Sequence, residues 1–485
     1  MNHIIKSVIS PPSIALADIT LSNQVLRNLA LKKAEKKLYN ILVNKNISGR
    51  PRRIQEDKYY VLRNMLHSID KALSDNRVSP EVRRGLLKNL VGKILLGNNS
   101  NRRAFEKAHE QSPPTFLTIS PTKRCNLHCI GCYASSSATN AEQLEYDLVN
   151  RIMEEKTRLW GSHFTVISGG EPLMWKSDGK DIVDLAKEHK DNYFLMYTNG
   201  TLIDEKMAER LAKVGNITPA VSVEGFEKET DARRGKGVHK KILRAFRCMR
   251  EAGVPFGISI TATRQNAELV LSEEFMDYYF EEQGAIYGWI FQYMPIGRKY
   301  TLDLMVTPEQ RKWMFEQEQH LVRHKELFIA DFWNSGAVST GCISAGRPGG
   351  YFYIDWNGIV TPCVFFPYSV HNIKEVYKNG GNLNTVLFSP FFRSIRQWQR
   401  DYSYMKPAAE VGNQIVPCAI RDHHEVAREA IEKYRAKPED EQAEAALKDK
   451  GYYKGLLEYD KKVKELIDPI WESEYVGPEK IRKVI

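Results

Sequence analysis

The chain is organised around the stretch Pro121-Thr-Lys-Arg-Cys125-Asn-Leu-His-Cys129-Ile-Gly-Cys132-Tyr133, in which three cysteines are separated by three and then two residues. The stretch follows a short apolar strand candidate, Thr115–Ser120. Thiolates suit soft metals, but structural zinc usually takes four ligands, often from paired Cys-x2-Cys elements, and no second pair lies nearby. A disulfide would need an oxidising compartment. An iron–sulfur cluster normally takes four thiolates, so a loop that gives three leaves one iron open to an exchangeable ligand.

This loop resembles the signature of the radical S-adenosylmethionine (radical SAM) superfamily, which is Cys-x3-Cys-x2-Cys with an aromatic residue beside the last cysteine, here Tyr133. The resemblance implies that Cys125, Cys129 and Cys132 hold a [4Fe-4S] cluster. It also implies that the open iron binds SAM through its amino and carboxylate groups, and that a donor such as flavodoxin or ferredoxin supplies electrons. A zinc knuckle or a disulfide is the alternative for this loop.

The composition is that of a soluble globular protein. The 485 residues are enough for two or three domains, with 42% hydrophobic and 27% charged residues. We find no apolar run long enough to span a bilayer and no evident cleavable signal peptide. Seven cysteines, three of them in one loop, favour a reducing compartment. We therefore expect a cytoplasmic enzyme, with a peripheral position at the inner membrane face as an option.

The net charge of +10 is concentrated at the N-terminal side. Residues 1–115 contain 21 Lys or Arg and 9 Asp or Glu, so the remaining chain is slightly acidic. Basic amphipathic helices are expected at Ile14–Val43, at Tyr59–Leu73 and after the Ser79-Pro80 helix start. Such a domain suits an anionic membrane surface or an acidic substrate, with nucleic acid less favoured. The alternative is a Lys-rich helical domain whose apolar stripes pack on the protein itself.

Alternating strand and helix patterns predict a parallel α/β sheet between residue 115 and about residue 300. Six βα units match the partial (β/α)6 TIM-type barrel of the resembled superfamily, and in such barrels chemistry collects at the carboxyl ends of the strands. The six strand candidates are Thr115–Ser120, Phe164–Ser168, Tyr193–Thr198, Ala220–Val223, Phe256–Thr261 and Tyr287–Tyr293.

Polar motifs close three of these strands, and one of them is Thr198-Asn199-Gly200 at the end of the third. Ser168-Gly-Gly-Glu-Pro-Leu173 resembles the Gly-Gly-Glu-Pro motif that binds the SAM amino group, because glycines admit a ligand and a carboxylate receives an ammonium. Ser222-Val-Glu-Gly225 resembles the Ser-x-Asp-Gly segment of relatives, with Glu in place of Asp. The residues expected to contact SAM are Tyr133, Gly169, Gly170, Glu171, Pro172, Thr198, Asn199, Ser222 and Glu224.

A second set of cysteines follows the barrel. Cys342 and Cys363 flank a hairpin predicted from two β-rich runs around Asn357-Gly358. The spacing resembles the start of the SPASM/twitch extension, which implies an auxiliary cluster at Cys342, Cys363 and Cys418. The fourth ligand is open: His423 or His424, a carboxylate, or the substrate. Unrelated buried cysteines are the alternative, and Cys248 is expected to be a buried apolar residue.

The expected domains are a basic helical domain (1–112), the core barrel (113–300), a linker helix (301–340), the auxiliary-cluster domain (341–425) and a charged, solvated helical tail (426–485). The resemblance implies an oxidoreductase that reductively cleaves SAM to a 5′-deoxyadenosyl radical, abstracts hydrogen from an unactivated carbon and so forms a C–C or C–X bond. No further catalytic residue stands out. A membrane lipid alkyl chain is slightly favoured as substrate. The alternatives are the maturation of a ribosomally made peptide and a non-enzymatic iron–sulfur sensor or scaffold.

Overall fold

The structure is a computed structural model and describes residues 24–75, 77–95 and 99–484. The first ten residues of the predicted helix Ile14–Val43 lie outside this part of the chain. The described N-terminal helices are α1 (Gln24–Tyr39), which continues as a wider π-type segment (Asn40–Asn44), α2 (Arg52–Ser74), α3 (Pro80–Gly85), which continues in the same way (Leu86–Leu95), and α4 (Ser100–His109).

Helix α3 begins where the sequence predicts and packs on the protein itself. The Ser79 hydroxyl accepts a hydrogen bond from the backbone N–H of Val82 and caps the helix. Val82 is buried, and the Asn89 amide donates to the carbonyl oxygens of Lys190 and Asn192. These contacts attach the segment to the turn before the third barrel strand.

Seven parallel strands form the core sheet, one more than the sequence predicts. They pair in chain order, each with the next. The strands are β1 (Phe116–Ile119), β2 (Phe164–Ile167), β3 (Tyr193–Thr198), β4 (Ile217–Val223), β5 (Gly257–Ala262), β6 (Gly288–Gln292) and β7 (Ile329–Asp331).

Helices cross between these strands, which makes the predicted α/β barrel architecture correct. They are α5 (Tyr146–Trp160), α6 (Ile182–Glu188), α7 (Glu205–Val214), α8 (Glu227–Arg234), α9 (Val238–Ala252), α10 (Glu273–Asp277, continuing as Tyr278–Glu282) and α11 (Pro308–Arg323). Single 3₁₀ turns cover Pro172–Met174, Leu269–Leu271 and Leu302–Leu304. Cys248 is buried in the main core on α9, as predicted.

The predicted hairpin joins the barrel sheet at its open edge. Strand β8 (Tyr353–Ile354) pairs in parallel with β1, and β9 (Ile359–Thr361) returns antiparallel to β8. Two short pairs follow, with β11 (His371–Asn372) against β9 and β10 (Tyr368–Ser369) against β12 (Lys437–Pro438). The second cysteine set is thereby fixed to the strand that precedes the first.

The C-terminal half is helical and largely packed. Its helices are α12 (Gly336–Ser339), α13 (Ile373–Lys378), α14 (Leu383–Leu387), α15 (Pro390–Gln399, continuing as Arg400–Tyr404), a 3₁₀ turn (Ala408–Glu410), α16 (His424–Tyr434), α17 (Glu441–Lys448), α18 (Lys450–Ile470, continuing as Trp471–Val476) and α19 (Gly477–Val484).

The C-terminal helices differ from the solvated tail expected from their charge. Val463, Ile467 and Trp471 are buried in one apolar cluster. The Tyr475 hydroxyl donates to the Asp57 carboxylate on α2 at 2.8 Å. The apolar stripe of this segment therefore joins the N-terminal helices to the body. Among the described helices, none combines the length and apolar character needed to cross a bilayer.

Candidate active site

A cavity of about 500 Å³ opens at the carboxyl ends of the parallel strands. All six cysteines of the two predicted sets line it. Strand β7 adds Asp331 to its wall, and the residues after the hairpin add Cys363, Val364, Phe365 and Phe366. The sheet thus brings together two motifs that are more than 200 residues apart in the sequence.

The first cysteine loop is held by its backbone, which leaves its thiols facing the cavity. The Cys125 N–H donates to the Ser137 carbonyl at 3.0 Å, and the Arg298 N–H donates to the Cys132 carbonyl at 3.0 Å. The Arg298 guanidinium also donates to the Cys129 carbonyl. A residue after β6 therefore closes the loop that follows β1.

The thiol arrangement fits a multi-iron cluster. All seven cysteines are free thiols. In the described part of the chain, no three His, Cys, Asp or Glu side chains converge on one metal ion, whereas the thiolates of a cubane each bind a different iron. Burial raises the pKa of the Cys125 thiol to about 12 and also raises that of Cys129. The thiolate form therefore needs a bound cation to offset the cost of burial.

Two glycines let the end of β2 touch the backbone of the cysteine loop. The Gly170 N–H donates to the Thr122 carbonyl, and the Glu171 N–H donates to the Arg124 carbonyl, both at 2.8 Å. A Cβ on Gly170 would lie 2.2 Å from the Arg124 carbonyl oxygen, and Gly169 has a positive φ of 120°. Glycine is required here for the close approach of two loops.

The Glu171 carboxylate faces the end of β3 and not the cavity. It accepts hydrogen bonds from the Thr198 hydroxyl at 2.7 Å and the Asn199 N–H at 2.8 Å. Burial raises the pKa of Glu171, and these two hydrogen bonds oppose that rise. Asn199 itself reaches the first site, because its amide donates to the Cys125 sulfur at 3.7 Å. Glu171 thus positions the β3 end beside the cysteine loop.

The predicted SAM contacts fall into two groups, those that line the cavity and those that lie behind its wall. Tyr133, Gly169, Gly170, Thr198, Asn199 and Ser222 line the cavity, whereas Glu171, Pro172 and Glu224 stand behind its wall. The hydroxyls of Tyr133 and Ser168 lie 2.6 Å apart, and the Gly169 N–H donates to Tyr133. Burial raises the pKa of Tyr133 to about 12, so its hydroxyl stays protonated at neutral pH. That these residues contact SAM stays a prediction.

Two cavity residues that the sequence does not reveal are Arg233 and Arg234, at the end of α8. Both pair with one oxygen of the buried Glu224 carboxylate, and the second oxygen of Glu224 has no partner in the structure. The two guanidinium groups lower the pKa of the Cys129 thiol, against the rise from burial. Glu224 therefore positions two cations beside the first thiols. An Arg-Arg pair at a helix end carries no distinctive spacing, so motif reading could not single it out.

The second cysteine set assembles around Cys363, at the base of the hairpin. Cys363 is buried, and the Tyr351 hydroxyl lies 3.0 Å from its sulfur. Cys342 and Cys418 approach closely enough that either thiolate would raise the pKa of the Cys363 thiol, which burial already raises. The structure thus brings together the three cysteines that the sequence predicts.

Neither histidine proposed as fourth ligand reaches the cavity, which corrects that part of the prediction. The His423 ring packs against Trp398 and Tyr402. His424 lines a separate, small cavity with Tyr452 and lies hydrogen-bonded to the Ile420 carbonyl oxygen through Nδ1. The His423 Nε2 lies 3.0 Å from the Val416 carbonyl oxygen, so each ring has a backbone carbonyl as its partner.

Cys418 is anchored by a buried ion pair. Its N–H donates to the Asp422 carboxylate at 3.2 Å, and Asp422 pairs with Arg311 at 2.5 Å, both side chains being fully buried. Arg421 also donates to Asp422. Two guanidinium groups therefore depend on one carboxylate, and their charge keeps the pKa of Asp422 well below its usual range.

Asp422→Asn is expected to lower the free energy of unfolding by about 3–5 kcal/mol, because it leaves two buried guanidinium charges without an anion. Urea denaturation of the metal-free chain measures this. The control is Glu316→Gln, which breaks an exposed pair with Lys312 on α11 and should cost about 0–1 kcal/mol. Equal losses in the two variants would contradict the account.

Aromatic rings connect the two cysteine sets across the cavity. Phe365 lies beside Cys363, and its N–H donates to the Cys363 sulfur at 3.5 Å. Its ring is 6.2 Å from that of Tyr133 in the first loop and 5.9 Å from Phe291 on β6. The space between the two sites is therefore apolar and aromatic, which suits a bulky, largely uncharged substrate group.

Asp331, at the end of β7, is the one carboxylate among the described residues that line the cavity. The Gln292 amide donates to it at 2.8 Å, which leaves the Gln292 carbonyl oxygen buried and without a partner. Behind it, the Glu318 carboxylate accepts the Asp331 N–H at 3.1 Å. Burial and the charge of Asp331 raise the pKa of Glu318 well above its usual value.

Glu318→Gln is expected to stabilise the chain increasingly as the pH rises from about 5 to 8. In the folded state Glu318 holds its proton, whereas in the unfolded chain it ionises above about pH 4.3. The wild-type chain therefore loses stability as the pH rises toward the folded pKa, and the amide removes that loss. Urea denaturation at several pH values measures the difference. A constant difference between variant and wild type would contradict this prediction.

Comparison with known proteins agrees with this geometry. The sequence model of the radical SAM superfamily matches residues 119–269. The AdoMet-dependent heme synthase of Methanosarcina barkeri (strain Fusaro / DSM 804) is 27% identical over 293 residues, which cover 54% of this chain and 80% of that protein. The mycofactocin maturase MftC of Mycolicibacterium smegmatis is 29% identical over 300 residues, which cover 59% of this chain and 73% of that protein.

Among solved structures, SuiB of Streptococcus suis, bound to S-adenosylmethionine, has the same fold with a TM-score of 0.51 at 18% identity, covering 74% of this chain and 89% of SuiB. SuiB bound to the precursor peptide SuiA gives a TM-score of 0.50. The chain and SuiB thus share their fold. Residues 119–269 of this chain therefore form a radical SAM domain, its relatives and structural neighbours are radical SAM enzymes of the SPASM/twitch type, and the cofactors of this family are a [4Fe-4S] cluster and SAM.

Proposed function

We propose that the chain modifies a peptide by oxidising an apolar or aromatic side chain held between two iron–sulfur sites. Cys125, Cys129 and Cys132 would hold the cluster that binds SAM, and Cys342, Cys363 and Cys418 would hold the second. The observation that carries this proposal is the single cavity that both cysteine sets line. When reduced, the first cluster supplies the electron that cleaves SAM to methionine and a 5′-deoxyadenosyl radical.

Other residues of the chain would bind the substrate and accept the proton that it releases. The aromatic wall around Phe365 and Phe291 would bind the side chain and exclude water from the radical. Loss of a hydrogen atom from the substrate to the radical would give 5′-deoxyadenosine and a substrate radical. That radical would then lose one electron, to an acceptor that the second cysteine set would hold, and one proton, which completes a two-electron oxidation. Asp331 would take that proton, because burial raises its pKa.

The cavity favours a peptide over a porphyrin. The similarity to a heme synthase makes a porphyrin the competing substrate, but its carboxylates would need cations that face it. In the described lining, the Lys and Arg side chains are limited to Arg233 and Arg234, which Glu224 already pairs at the first site. The relatives that favour a peptide are the maturase MftC and the fold shared with SuiB.

A lipid alkyl chain is favoured less. That proposal depended on a basic amphipathic helix free to lie on a membrane, and the helix that begins at Ser79 instead packs on the barrel through Val82 and Asn89. In addition, the part of the cavity wall near the first cysteine set is formed by the cysteine loop and by loops at the ends of the strands.

The experiment supplies three substrates to anaerobically reconstituted protein with dithionite and SAM. They are the small peptide encoded nearest the gene, iron-coproporphyrin III, and phosphatidylglycerol vesicles. We expect the peptide alone to lose two hydrogen atoms in mass spectrometry and to raise 5′-deoxyadenosine formation. Turnover of the porphyrin or the lipid, with an unchanged peptide, would overturn the proposal.

A further inference from the structure

Four cations stand directly behind Cys342, and we call them the Cys342 cation cluster: Arg50, Lys58, Arg347 and Arg396. Arg347 Nε donates to the carbonyl oxygen of Cys342 itself at 2.5 Å. The Lys58 ammonium donates to the Thr340 hydroxyl at 2.8 Å. Arg347 lies on the segment that carries Cys342, Lys58 on α2, Arg396 on α15 and Arg50 in the loop before α2.

The hydrogen-bond partners of this cluster are neutral. Arg396 donates to the Ala345 carbonyl at 2.8 Å, and Arg50 donates to the Lys406 carbonyl at 3.1 Å. Arg347 and Arg396 are each only 5% exposed. Among the described residues, none of the four has a carboxylate within 4.0 Å, the limit for an ion pair.

The contacts of Arg347 show the same lack of negative charge. Its guanidinium donates to backbone carbonyl oxygens of Ser339, Gly341 and Cys342 and lies 5.2 Å over the Tyr404 ring.

Near Cys418, too, positive side chains outnumber negative ones. Arg311 and Arg421 are fully buried and share the single carboxylate of Asp422. The Arg421 guanidinium stacks 4.6 Å over the Trp333 ring, and both of its terminal nitrogens are buried without a hydrogen-bond partner in the structure. Trp333 lines the cavity, whereas Arg421 lies behind it.

Buried cations without anions are costly, so the fold must place negative charge nearby. The side chains of the Cys342 cation cluster and Arg421 do not line the cavity, so they cannot contact a substrate there directly. What lies between them and the cavity is Cys342 and Cys418. A [4Fe-4S] core held by thiolates is anionic, more so when reduced, and nearby charge is one of the factors that set its potential.

We infer that the positive charges of the Cys342 cation cluster and Arg421 stabilise an anionic iron–sulfur cluster bound by Cys342, Cys363 and Cys418. We infer also that these charges raise the midpoint potential of the cluster, so that the site accepts electrons. This inference rests on the proposed function and deepens it. Positive charge favours the more negative, reduced state.

The test uses the full chain with the first loop silenced by Cys125→Ala, Cys129→Ala and Cys132→Ala, so that one cluster remains. After anaerobic reconstitution, iron and sulfide are counted and the midpoint potential is measured by a redox titration followed by electron paramagnetic resonance. We expect Arg347→Gln and Arg421→Gln to move the potential to more negative values. Arg347→Lys and Arg421→Lys, which keep the charge, should stay close to the parent value.

Lys58→Met provides a milder variant, because the one hydrogen bond shown for Lys58 goes to the half-buried Thr340 hydroxyl. It should move the potential in the same direction, while the exposed control Lys312→Met should not. A parent protein that binds no iron would overturn the proposed second cluster. A loaded parent whose potential is unmoved in Lys58→Met and the glutamine variants would overturn the electrostatic inference alone.

Discussion

Cys129→Ala is expected to reduce the formation of 5′-deoxyadenosine from SAM and dithionite to the background of the assay. Cys129 lines the cavity between Cys125 and Cys132, and a loop with two thiolates cannot hold a cubane with one open iron. We also expect a loss of about four irons per chain, the content of one cubane. Anaerobic chromatography of the reaction products and iron and sulfide analysis measure the two effects.

The matched control is Cys248→Ala, which removes a thiol of the same size from the core of α9, away from the cavity. This variant should keep its iron content and its SAM cleavage, at a small cost in stability. The comparison separates loss of a ligand from loss of a cysteine. Wild-type protein that binds iron but yields no 5′-deoxyadenosine would instead fit the iron–sulfur sensor or scaffold.

The parallel barrel could be predicted because its signals are local. Each strand is a short apolar run followed by a polar turn, and each crossover segment has helical periodicity. Strand β3 (Tyr193–Thr198) has the bounds that the sequence indicates. Strand β4 begins earlier than predicted, at Ile217, and includes Pro219, which lies opposite Met196 of β3. The cysteine spacing and the Asn357-Gly358 turn were equally local.

What the sequence could not give depends on contacts between distant segments. Strand β7 has three residues, too few for a periodic pattern, and lies in the region predicted as a linker. The orientation of Glu171 depends on its contact with the end of β3, 28 residues later. The placement of Arg233 and Arg234 depends on their pairing with Glu224, nine and ten residues earlier, which carries no recognisable motif. In the sequence of the C-terminal helices, charged residues outnumber the apolar residues that form the narrow buried stripe. The sequence therefore suggests solvated helices.

Gly170→Ala is expected to abolish SAM cleavage while the chain stays folded. The added methyl group would lie 2.2 Å from the Arg124 carbonyl oxygen and 2.5 Å from that of Lys123, both backbone atoms of the cysteine loop. Backbone cannot rotate away as a side chain can, so the loop and the end of β2 must separate. We expect the overpacking to cost about 1–3 kcal/mol of stability, with loss of the Thr122 and Arg124 hydrogen bonds at this contact.

The control for Gly170→Ala is Gly179→Ala, which adds backbone strain without a steric clash. Gly179 has a φ of 76°, which disfavours any L residue, but a Cβ there meets no atom within 4 Å. It should therefore lose stability by about 1 kcal/mol from backbone strain and keep full SAM cleavage and iron content. Should both variants lose cleavage equally, general destabilisation would account for the result. Loss in Gly170→Ala alone, measured beside thermal unfolding, means that the close approach of the two loops is what sets the cluster in place.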